Sequence, residues 1–135
     1  MGLDMILFVP TNDAEISVKN INNDVVESVE VAYWRKANMV HNFFCSRGKE
    51  LDPQILYILS REHLVELLKI CHDILDEKVE PEKALPTQCG FFFGSTEYGE
   101  MYYKHIKDTI IILSDVLMVN KASKDAEEFV YYASW

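Results

Sequence analysis

The chain has 135 residues, 49% hydrophobic and 26% charged, the balance of one soluble globular domain spanning 1–135; it is too short for two independent cores and too apolar for intrinsic disorder. Its 22 acidic against 13 basic residues give a formal net charge of −9, which argues against a surface that tracks nucleic-acid phosphates, since such surfaces need a basic excess. The best apolar stretches, 110–113 and 116–119, are interrupted by Ser114 and Asp115 and fall short of the roughly 20 residues of a membrane span.

In chain order, residues 4–9 form a short apolar run stopped by Pro10, and 15–21 alternate with Ile16 and Val18 on one side. The pattern predicts two strands joined by a turn at Thr11-Asn12-Asp13, with loop over 20–24. From about 30 to 45 the spacing predicts a helix with Tyr33, Ala37, Val40 and Phe44 as its buried stripe. Trp34, Asn38, His41 and Cys45 then stack along the flank, and Gly48 is the expected left-handed cap. Residues 55–59 read as a strand. Ser60 is the expected cap of a second helix to about 77, whose core face is Leu64, Leu67, Leu68, Cys71, Ile74 and Leu75. Residues 73–82 carry six charges, one of them basic, and read as an exposed helix end and linker. Between Gly90 and Gly94 stand Phe91, Phe92 and Phe93, of which at least two should be buried. A third helix is expected from about 96 to 120 with Tyr102, Ile106, Ile110, Leu113 and Leu117 inward, then a strand at 129–132 and a packed Trp135. The expected fold class is α+β: three main helices packed on a small mixed or antiparallel sheet, as a single pair of layers.

Two constellations carry candidate chemistry. In Trp34-Arg35-x-x-Asn38-x-x-His41, helical spacing gives a stacking face, a cation, an amide and an imidazole, a set suited to a planar ring with an anionic group; the same residues also serve as core and loop brace. In Gly94-Ser95-Thr96-Glu97-Tyr98, a helix start offers free N–H groups and hydroxyls to an anion, or simply an N-cap. No cofactor or metal is expected: His41 and Cys45 at i, i+4 lack any supporting H-E-x-x-H or paired-cysteine motif. Cys45, Cys71 and Cys89 show no C-x-x-C and suit a reducing cytoplasm. The tyrosines near the C-terminus and Trp135 form an aromatic cluster fit for a stacking pocket or a homo-oligomer interface.

Taken together, Met1-Gly2-Leu3-Asp4-Met5, Tyr33-Trp34-Arg35-Lys36-Ala37-Asn38-x-x-His41, Leu85-Pro86-Thr87-Gln88-x-Gly90-Phe91-Phe92-Phe93-Gly94-Ser95-Thr96-Glu97-Tyr98 and Tyr131-Tyr132-x-Ser134-Trp135 resemble a family of small proteins encoded by bacteriophages and prophages, which has no assigned activity. The chain departs from that pattern at Ile6, Phe43, Cys89 and Gly99. The resemblance implies a protein of the infected host's bacterial cytoplasm, where accessory phage proteins counter host defence or redirect metabolism. Combined with the residues, it leads to a non-enzymatic binder of a small anionic, nucleotide-like ligand, such as a host defence signal. Trp34, Arg35, Asn38, His41, Thr87, Gln88, Ser95, Thr96, Glu97 and Tyr98 are its expected ligand-binding residues. Arg35 would pair with phosphate, Trp34 or Tyr98 would stack, and Asn38 and Gln88 would read polar edges. Two alternatives stay open: an acidic interaction protein that inhibits a host defence or nucleic-acid-binding protein through residues 73–82, and a small enzyme using His41 or Glu97 as base on a phosphate or amide. Direct nucleic-acid and membrane partners are not expected.

Overall fold

A computed structural model describes residues 2–10, 16–19, 25–53, 55–90 and 92–135. Strands β1 (Asp4–Pro10), β2 (Ile16–Lys19) and β3 (Val25–Arg35) come first, then helix α1 (Asn38–Arg47) and strands β4 (Lys49–Asp52) and β5 (Leu56–Ser60). Helices α2 (Arg61–Leu75), α3 (Pro81–Ala84) and α4 (Glu100–Met118) follow, and strand β6 (Glu128–Ser134) closes the order. The strands make one sheet, β2-β3-β1-β6-β5-β4, antiparallel at every neighbouring pair. The fold is therefore α+β, with the three longer helices as its second layer, and no helix among the described residues is long and apolar enough to cross a membrane.

Period-two alternation decides which side of the sheet is core. Met5, Leu7 and Val9 of β1, Ala32 and Trp34 of β3, Tyr57 and Leu59 of β5, and Phe129, Tyr131 and Ala133 of β6 are all buried. Against them the helices set Val40 and Phe44, Leu64, Leu67, Cys71 and Ile74, and Tyr102, Ile106, Leu113 and Val116. Each of the larger aliphatic and phenylalanine side chains among them contributes about 1.5–3 kcal/mol on leaving water. Ile110, expected in the same line, is half-buried. The second helix is the one the letters specified best: Ser60 Oγ accepts from the His63 N–H, and His63 Nδ1 accepts from the Ser60 N–H, a reciprocal cap.

Three expectations are corrected. Residues 30–35 are the end of β3, not a helix, because Val29, Val31 and Tyr33 suit a pleated strand and Met5 pairs with Trp34 across the ladder. Tyr33 consequently lies on the open sheet face at 46% exposure, and Lys36 at φ 58° turns the chain so that α1 starts only at Asn38. Gly48 is extended, at φ −75° and ψ 158°, since the chain passes directly into β4. The last helix begins at Glu100 behind Gly99, so Ser95 and Thr96 do not cap it. Of the three phenylalanines, Phe93 is buried and Phe92 is 48% exposed, while Phe91 lies outside the described residues. So do the turn at 11–13 and the loop at 20–24.

Candidate functional site

Backbone register brings all four sequence motifs to one end of the sheet. Asp4 pairs with Arg35 on one side and Ser134 on the other, Lys36 N–H donates to Leu3 O, and Leu3 N–H donates to Phe92 O. The Gly90–Phe93 turn is held by Phe93 N–H donating to Gly90 O, with Phe92 at φ 62°. Such left-handed backbone at a bulky residue costs about 1–3 kcal/mol and persists only where the surroundings over-determine it. Glycine is required at 90, because a Cβ there would stand 2.8 Å from the Phe93 ring.

Asn38, at the start of α1, fixes this loop. Its Nδ2 donates to Phe93 O at 3.1 Å and Ser95 O at 2.9 Å, and its Oδ1 accepts from the Gln88 N–H at 3.1 Å. One helical turn on, His41 is buried, with Nδ1 2.6 Å from the Tyr131 hydroxyl and its ring 5.3 Å from Phe93 and 5.8 Å from Trp135. Trp135 meets Phe93 edge to face at 5.1 Å. Between these groups lies a cavity of about 290 Å³ lined by His41, Cys45, Gln88, Cys89, Gly90, Phe93 and Trp135.

No family model, curated protein or solved structure matches this chain.

Burial moves the titratable groups of the cavity toward their neutral forms. Desolvation lowers the His41 imidazole to about 4, and burial pushes the Cys45 thiol up, partly opposed by a hydrogen bond from Tyr57. Although Cys45 Sγ lies 3.5 Å from His41 Nε2, the two are not the thiolate–imidazolium couple of a cysteine nucleophile. Among the described residues no three or more His, Cys, Asp or Glu side chains are gathered as a metal site would need. The described residues that line the cavity include no Lys, Arg, Asp or Glu. Of the lining residues, Gln88 has its side-chain Oε1 turned out of reach of solvent and without a hydrogen-bond partner among the described residues.

The remaining expected site residues are distributed around this cavity. Trp34 is in the core, its Nε1–H donating to Thr109 Oγ1 of α4 at 3.0 Å, so it offers no stacking face. Arg35 projects from the open side of the sheet and pairs with Asp4 at 3.1 Å. Thr87 and Tyr98 brace each other: the Tyr98 hydroxyl accepts from the Thr87 N–H at 3.1 Å, and Thr87 Oγ1 donates to Thr96 O at 3.0 Å. Ser95 Oγ accepts from the exposed Glu97 N–H at 3.1 Å, a local turn in place of a helix cap. Asn38, His41 and Gln88 thus converge, whereas Trp34, Arg35 and Glu97 point elsewhere. Phe93 reaches the cavity with the loop that Asn38 holds, and Trp135 reaches it through the returning β6 and meets the Phe93 ring, a contact no local spacing encodes.

Proposed function

We propose that the protein is a non-enzymatic binder that takes the planar part of a small nucleotide-like ligand into the cavity between α1, the Gln88–Phe93 loop and Trp135. The observation that carries this reading is the convergence of three separate motifs, through His41, Gln88 with Phe93, and Trp135, on one hollow of about 290 Å³. That size is at the lower end of small-molecule sites and accommodates one base-sized ring system. Aromatic edges from Phe93 and Trp135 supply apolar contact. A phosphate would lie outside the lining, whose described residues include no cation. His41 and Cys45, both held neutral, favour a binding role over acid–base or thiolate chemistry. In the setting that the phage-like motifs suggest, such a binder works in the cytoplasm of an infected bacterium and withholds a host defence signal from its receptor.

The test is mass spectrometry of small molecules released from the protein after purification from phage-infected cells, followed by calorimetry with the compounds found. A bound nucleotide-like species, lost in Trp135→Ala, is the expected result. Empty protein together with silent calorimetry across nucleobases, nucleosides and nucleotides would remove the reading. A compound recovered chemically altered would replace it with the enzyme.

A further inference from the structure

The side of the sheet turned away from the helices is also apolar at its centre. Directly paired residues of antiparallel strands share a face, so the register gives what that side presents. Running from β3 through β1, β6 and β5 to β4, one row is Glu30, Phe8, Val130, Ile58 and Lys49. The row beside it is Tyr33, Ile6, Tyr132, Leu56 and Asp52. Phe8 and Leu56 are buried yet stand outside the core between sheet and helices, while Ile6, Val130, Tyr132 and Ile58 are half-buried. The three longer helices all pack on the opposite face, and α3 buries no side chain.

The ends of the first row are opposite in charge. Glu30 and Lys49 are both exposed, and among the described residues neither pairs with an opposite charge. Strand β6 runs through the middle of both rows. A twofold axis along it sets Val130 against its own copy, Phe8 against Ile58, Ile6 against Leu56 and Glu30 against Lys49. The face is thus complementary to itself when turned over, which is the condition of an isologous interface. Stacked sheets lie about 10 Å apart and are rotated by about 30°, which displaces the row ends, two strand spacings from the axis, by about 5 Å. The extended Glu30 and Lys49 side chains span that offset.

We infer that this open face pairs with the same face of a second copy of the chain, giving a twofold sandwich of two sheets with the helices outermost. Five strands about 4.8 Å apart and about 20 Å long present roughly 500 Å² from each copy, the low end of specific interfaces. The net charge of −9 on each copy opposes the pairing further, so the dimer forms at micromolar rather than nanomolar concentration. The cavity beside α1 shares no residue with this face, so the binder reading stands or falls separately.

Sedimentation equilibrium of the whole chain at near-physiological salt, from micromolar to near-millimolar concentration, should show a reversible monomer–dimer equilibrium. Glu30→Lys places a cation opposite Lys49 and Lys49→Glu a carboxylate opposite Glu30, twice in each dimer, so each variant alone should associate about tenfold more weakly or worse. Mixed in equal amounts, the two variants should form a heterodimer in which every end of the row again meets its opposite, and the double variant should associate like wild type. Both positions are exposed, and circular dichroism checks that the fold is kept. A chain that stays monomeric throughout the range overturns the inference. So does a dimer that both single variants leave unchanged, because it uses another surface, and so does a mixture that fails to associate. Co-sedimentation of a monomeric chain with neutral phosphatidylcholine vesicles would overturn it in favour of a lipid surface.

Discussion

His41 makes acid sensitivity a quantitative consequence of the packing around it. The native imidazole titrates at about 4 because it is desolvated, against 6.5 for the exposed side chain in the unfolded chain. Between those values the unfolded state binds the extra proton, so stability falls as pH drops from 6.5 toward 4 and is unaffected by this group above that window. The gap of roughly 2.5 units corresponds to about 3 kcal/mol, a sizeable part of the about 5–15 kcal/mol that holds a small domain together. Urea unfolding should therefore be followed across the window for wild type and His41→Gln, glutamine being able to accept the Tyr131 hydroxyl without titrating. The wild-type curve should lose about 3 kcal/mol more than the variant between neutral pH and pH 4. His105 is shifted in the same direction, chiefly by burial and further by Lys104, with Asp108 opposing, so His105→Gln serves as the second reference. Parallel wild-type and His41→Gln curves would refute the argument, as would an NMR titration placing the His41 ring near 6.5.

Asn38→Ala removes three hydrogen bonds that position the cavity loop and should lower unfolding free energy by about 3 kcal/mol, with ligand affinity falling alongside; equilibrium denaturation and calorimetry on the same samples check both. Ser60→Ala deletes the cap of α2 and should cost about 1 kcal/mol in the same denaturation assay without touching the cavity. Alkylation by iodoacetamide, mapped by peptide mass spectrometry, should reach exposed Cys89 first and half-buried Cys45 more slowly; Cys71, buried and pushed up to about 12, should react only on unfolding. Trp34→Phe leaves Thr109 Oγ1 without its indole donor inside the core and should lower stability by about 1–3 kcal/mol, while ligand binding persists because Trp34 lies outside the cavity.

Legibility in the sequence followed the range of the interaction that fixes each element. Helix α2 was readable because its cap and its apolar period both sit within the local stretch of chain. Segment 30–35 was misread because Tyr33, Ala37, Val40 and Phe44 happen to fall at helical spacing, while the pairing of Met5 with Trp34, which makes the segment a strand, comes from residues far off in sequence. The same error carried Trp34 and Arg35 into the expected site: on a helix they flank Asn38, but on a strand consecutive side chains go to opposite faces, one into the core and one to Asp4. Asn38 and His41 were legible as polar groups on a helix flank that need partners when desolvated, and Gln88 only as part of the Leu85–Tyr98 motif. The burial of Gln88 Oε1 without a partner among the described residues was not readable, because it depends on what the fold gathers around the loop.

Strand β1 ends at Pro10 and its neighbour β6 begins at Glu128, so the centre of the sheet is completed by segments roughly 120 residues apart. At a synthesis rate of about 5–20 residues per second, on the order of 6–24 s separates the emergence of one from the other. Until then β1 can join only β3, and its second edge, flanked by Met5 and Leu7, stays open to any strand that arrives. A nascent chain of this protein thus shows an adhesive edge for seconds, long enough for a holdase to grip it or for two chains on one messenger to meet. Tyr131 and Trp135 arrive with β6, so the same last step that silences the edge also closes the cavity.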